Sequence, residues 1–160
     1  MRKRSTYRPK GVRLDNMGYV LSGMMPVRQV RDAAVTLKIK NHLAMENLRT
    51  GNGTREDMDV VIGALNITEA LAMLRIGNEY ADEIKAGQDG LFSMGRRSLT
   101  NGRLVFAGPE LAAVNLAMEI HDAQLDLCTV AELERAMDIV RREIVSKRAR
   151  PIVTRAAASN

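Results

Sequence analysis

The chain has 160 residues, of which 46% are apolar, 3% aromatic and 27% charged, with no Trp and 10 Met. That excludes disorder throughout and favours an aliphatic core of packed helices over a β-sandwich, where aromatic and β-branched residues dominate. The net charge of +5 is sorted along the chain: residues 1–13 carry six bases and no acid, residues 141–160 six bases against Glu143, and residues 14–140 twelve bases against eighteen acids. An acidic body with two basic ends is expected to touch something anionic through those ends: nucleic acid, an acidic protein surface or a neighbouring copy's body. Cys128 is alone, so no internal disulfide is expected and a cytoplasmic location fits. The basic start resembles a signal peptide only superficially. Asp15 and Asn16 interrupt it, Gly18, Ser22 and Gly23 break the apolar stretch, and no cleavage pattern follows. No apolar run approaches the ~20 residues needed to span a bilayer, so no membrane partner is expected.

In chain order, residues 1–16 read as an extended basic arm, since Pro9 and Gly11 oppose a helix. The body, 17–149, reads as a helical bundle domain. Its first helix is predicted from near Pro26, with Val27, Val30, Ala34, Leu37, Asn41, Ala44 and Leu48 on one face, and stops at Thr50-Gly51-Asn52-Gly53. The second starts at Thr54, a capping residue followed by the acids Glu56, Asp57 and Asp59. Its broad stripe (Val60, Ala64, Ile67, Leu71, Leu74, Asn78 and Ala81, widened by Val61, Leu65, Thr68 and Ala72) predicts a central helix that ends at Gly87.

Residues 88–108 are less regular. Gln88 to Met94 allow another helical turn or two, and Asn101-Gly102 inside 97–106 has the form of a small β-hairpin, or equally of a plain loop. A third helix opens at Gly108-Pro109-Glu110, where Pro is well placed, and lines up Leu111, Val114, Met118, His121 or Asp122, and Leu125. A fourth follows a Thr129–Glu132 capping box, with Leu133, Met137, Val140 and Ile144 as its face. Pro151 ends it at the latest, and residues 150–160 read as a flexible basic tail. Short connections between amphipathic helices imply an all-α bundle of four to five helices.

Three constellations bear on function. Glu119, Asp122 and Asp126 share a helix face beside His121, so three carboxylates can approach one cation, with His42 or Glu69 as conceivable further ligands. The paired His/Glu spacings of helical metal sites are absent, which favours a solvated acidic face with one satisfied histidine and no catalytic residue, metal or cofactor. Asn41 and Asn78 fall in apolar seams, where a polar residue more often fixes register across helices than lines a pocket. Arg96, Arg97 and Arg103, with Phe92 and Phe106 nearby, have the makings of a phosphate-and-base contact or a basic wing. The alternative is a basic surface loop anchored by its two Phe residues. Nucleic-acid or partner binding is therefore assigned to Arg2, Lys3, Arg4, Tyr7, Arg8, Lys10 and Arg13, to Arg96, Arg97 and Arg103, and to Arg141, Arg142, Lys147, Arg148 and Arg150. Six cations on about six phosphates give a log–log salt slope of roughly −5, without base specificity.

The blocks Ala86-Gly-Gln-Asp-Gly-Leu91, Gly102-Arg-Leu-Val-Phe-Ala-Gly-Pro-Glu110 and Ala117-Met-Glu-Ile-His-Asp-Ala-Gln-Leu125 resemble small basic helical proteins carried by bacteriophages and mobile elements of proteobacteria. The resemblance runs from the Arg-Pro-Lys arm to the last helix. It implies an intracellular accessory protein and transfers no catalytic residue. The leading expectation is a non-enzymatic binding protein; the runner-up is a homo-oligomer whose basic ends dock on a neighbour's acidic body. A metal-dependent enzyme using Glu119, Asp122 and Asp126 is the minority reading.

Overall fold

The computed structural model describes residues 22–146, which form five α-helices: α1 Arg31–Arg49, α2 Arg55–Met73, α3 Ala81–Asn101, α4 Gly108–Leu127 and α5 Val130–Val145. Single 3₁₀ turns at Val27–Gln29 and Asn78–Tyr80 complete the described elements, with one isolated antiparallel bridge, Pro26 to Thr129, and no strand. The all-α bundle is thus what the periodicities require. None of the described helices is long and apolar enough to cross a membrane. The two expected arms, 1–16 and 150–160, lie outside the described residues.

Local chemistry sets most helix ends. Thr54 Oγ1 accepts from Asp57 N at 3.2 Å while Asp57 Oδ2 accepts from Thr54 N at 2.8 Å, so each side chain satisfies the other's orphan N–H. Thr129 and Glu132 repeat this at the start of α5. Pro109 sits in the first turn of α4, where Glu110 accepts from Ala107 N at 2.7 Å. α1 ends on Gly51 at φ +78°, with Asn52 N returning to the Asn47 carbonyl at 3.0 Å.

α2 is the central helix, packed by α1, α3, α4 and α5. Its two apolar rows explain this: Val61, Leu65, Leu71 and Ala64 are buried on one side or another, and Val60 and Ile67 half-buried. One core lies among α1 to α4, around Leu48, Val61, Leu65, Met94 and Met118. A second lies where α2 meets α5 and the 22–30 segment, around Leu71, Leu125, Cys128 and Ala136.

Four expectations are corrected. The first helix begins at Arg31, not near Pro26, because residues 25–27 bond to the α4–α5 junction instead: Val27 N to the Cys128 carbonyl and Val130 N to the Met25 carbonyl. The second helix does not reach Gly87. It breaks at Leu74–Gly77, where Arg75 N returns to Ala72 O and Ile76 N to Leu71 O, with Arg75 in the left-handed region at φ +70°. Asn78 and Ala81, expected in its buried stripe, are exposed beyond that break. No hairpin forms over 97–106: α3 continues to Asn101, and Gly102, at φ +69°, is its left-handed cap. The buried face of α5 centres on Ala136, leaving Met137 and Ile144 exposed.

Gly87 instead lies mid-helix, at the closest approach of α3 to α4. A Cβ there would stand 2.5 Å from Ala117 Cβ and 3.2 Å from the Ala113 carbonyl. Its lack of a side chain lets the two helices meet.

Candidate functional site

The acidic row of α4 is the place where the chemistry-bearing residues converge. His121, on the buried side, is fully enclosed. Thr68 Oγ1 donates to the Ala64 carbonyl at 2.9 Å, so it offers His121 Nδ1 a lone pair at 2.9 Å. Nδ1 therefore carries the proton, and Nε2 accepts from Asn41 Nδ2 at 3.3 Å. Both ring nitrogens are used. Burial pushes the pKa of His121 down to about 4, so the ring is neutral at physiological pH. Asn41 thus pairs across helices, the register role expected of it. Gln124, one turn on, donates to the carbonyls of Thr68 and Ile76 and ties α4 to the break after α2.

On the outer side of the same helix, α1 supplies partners for the carboxylates. Lys38 Nζ reaches Asp126 at 2.7 Å and His42 Nε2 reaches Asp122 at 2.6 Å. Glu119 is exposed on the same row. Glu69, the other conceivable ligand, accepts from Gln88 on α3. The carboxylates are spread along two helices rather than gathered, and among the described residues no three His, Cys, Asp or Glu side chains form a metal-holding group. Cys128 is buried, and that burial raises its thiol to about 11, well above neutrality.

The basic candidates separate into distinct environments. The Arg97 guanidinium grips both oxygens of Glu110, at 2.7 and 2.6 Å, and also donates to the Val105 carbonyl. This fork pins the α3–α4 corner and holds the Glu110 carboxyl below the usual range. Arg97 is therefore committed to the fold. Phe106 packs against the first core, and Phe92 lines a groove between α3 and α5. With no hairpin over 97–106 there is no wing. Arg96, Arg103 and Arg142 are exposed; Arg141 is exposed and paired with Asp138 at 2.5 Å. Arg2, Lys3, Arg4, Tyr7, Arg8, Lys10 and Arg13, with Lys147, Arg148 and Arg150, lie outside the described residues.

Two surfaces were not anticipated from the sequence. Val35, Ile39 and Leu43 form a row along the outer face of α1, each more than half exposed. The spacing of four is visible in the sequence, but it coexists with the inward row Leu37–Asn41–Ala44–Leu48, and only packing decides which row faces the body. The second surface is the groove lined by Phe92, between α3 and α5. Comparison with protein-family models, with curated proteins and with solved structures finds no match for this chain.

Proposed function

We propose that this is a non-enzymatic binding protein, of the accessory kind carried by phages or mobile elements. It engages nucleic acid, or the acidic surface of a host macromolecular complex, through its basic terminal segments inside the cell. The sorting of charge carries this reading. Residues 22–146 hold eighteen acids and fourteen bases, whereas residues 1–21 hold six bases and one acid, and residues 147–160 four bases and no acid. A body of negative net charge repels a polyanion over a Debye length of about 8 Å at physiological salt. Attraction to an anionic partner therefore concentrates at the ends, extended by exposed Arg142. With Arg97 held by Glu110, the corner at 96–103 contributes little beyond Arg96 and Arg103.

The expected result is nucleic acid copurifying with the intact protein at low salt, and losing its hold when residues 1–13 are deleted. Purification free of nucleic acid, with no binding restored on adding it, argues for a protein partner instead.

The exposed row Val35–Ile39–Leu43 favours a second reading, self-association without nucleic acid. Light scattering separates the readings. An oligomer in the absence of nucleic acid supports the assembly, and a monomer at all salts removes it.

A further inference from the structure

α5 packs on α2 but leaves a gap to α3, and this gap is a groove of about 430 Å³ floored by α2. Ile62, Leu65, Phe92, Ile139 and Val140 give it an apolar lining. Its rim carries the carboxylates of Glu69, Asp89 and Glu143 against the single ammonium of Lys85.

We propose that this groove is the docking site of the chain's own C-terminal segment, residues 147–160. Position supports this first. Glu143 and Ile144 line the groove, and the chain leaves α5 at Ser146, so the segment starts at the groove's edge. Charge supports it second: Lys147, Arg148, Arg150 and Arg155 are unopposed by any acid in the segment, and the rim carries three carboxylates against one ammonium, with Asp89 4.0 Å from Lys85 Nζ and Glu69 accepting from Gln88. Apolar content supports it third. Ile152 and Val153 are the segment's large aliphatic side chains, and the floor is aliphatic. Reach is sufficient as well. The six residues from Ser146 to Ile152 extend up to about 20 Å, while the lining from Ile62 to Met73 along α2 spans roughly 16 Å.

Tethering supplies an effective concentration in the millimolar range, so weak ion pairs over a small apolar contact suffice. The cations of 147–155 are then wanted both by the groove and by any anionic partner, and the two compete for them. The docking itself does not depend on what that partner is, and its test uses none.

The test is limited trypsin digestion of the full-length protein at roughly 50 mM salt, where charge pairing is least screened. Mass spectrometry follows cleavage after Arg148 and Arg155, each rate being normalised to the free 147–160 peptide. Docking is expected to slow both cuts by about tenfold, because cleavage tracks the undocked fraction. The protection should fall to near the peptide's rate in the full-length Glu69→Gln/Asp89→Asn protein, in full-length Ile152→Ser, and in wild type at high salt. The thermal transition of each variant confirms that the helices are intact. Cleavage of wild type at the peptide's rate overturns the proposal, as does protection that survives both variants. Protection that rises with protein concentration assigns the groove to a neighbour's segment and also overturns it.

Discussion

Helix α4 meets its two neighbours by opposite means. Against α3 it packs Ala113 and Ala117 onto Gly87, and Glu110 onto Gly90, backbone close to side chain with no room for a methyl group at Gly87. Against α1 it presents polar groups: His121 to Asn41 in the interior, Asp122 to His42 and Asp126 to Lys38 outside. The first contact is specified by absence of volume, the second by complementary donors and acceptors. The first should therefore fail abruptly on enlargement and ignore pH and salt, whereas the second should respond to both.

The largest expected effect tests the close contact. Gly87→Val should destabilise by about 3 kcal/mol or prevent folding, since the added carbons meet Ala117 and a backbone carbonyl. Gly63→Ala, also mid-helix but with nothing within 4 Å of the new Cβ, should stabilise by up to ~1 kcal/mol from helix propensity alone. Urea denaturation of both variants measures the contrast, and equal effects would remove the packing argument.

Next in size is a pH effect on the polar seam. The folded state holds His121 near 4, against 6.5 for the ordinary group. Below pH 6.5 the unfolded chain takes a proton that the native ring refuses. Stability should thus be flat above neutrality and fall by about 3 kcal/mol as pH drops from 6.5 to 4. His121→Gln should lose this slope. The depressed carboxyls of Glu46, Asp57 and Glu110 lose their contribution only as pH falls through the ordinary carboxylate range, where the unfolded chain's carboxyls take protons first, so they do not mimic it between about pH 6.5 and 5.5. An unchanged slope in the variant would contradict the burial argument.

A smaller loss, about 2 kcal/mol, is expected for Asn41→Ala, which strips His121 Nε2 of its donor inside the core. Smallest is Lys38→Ala. Its partner Asp126 is more than half exposed, so thermal melts should shift by less than about 0.5 kcal/mol and the shift should vanish at high salt.

The same contrast explains what could be read from the sequence. Helix existence followed from apolar spacing, and the Thr54 and Thr129 caps from residue type at a fixed offset, because both are local. Glycines were legible only by habit. Gly87 looks like a helix stop but serves a contact with α4 that is remote in sequence. Gly102 looks like a hairpin turn but caps α3. Conversely, the real break after α2 puts both Arg75, at φ +70°, and Gly77, at φ +73°, in the left-handed region, so Gly77 was its signal in the sequence while the non-glycine Arg75 gave none. At the candidate site, Asn41 in an apolar seam signalled a cross-helix partner. That the partner is His121, with Thr68 fixing its tautomer, emerges only when three helices are brought together. The commitment of Arg97 to Glu110, thirteen residues away, is hidden for the same reason. The charged ends needed no structure to be seen, since sorting of charge is a property of the chain itself.

That sorting is also the centre of the functional account, and one titration tests it. Binding of a fluorescent duplex and of a single strand is measured across a salt series, for the intact protein and for a deletion of residues 1–13. The account expects a log–log slope of roughly −5 that flattens in the deletion. No binding at low salt, or a slope the deletion leaves unchanged, would contradict the nucleic-acid reading on which that expectation rests.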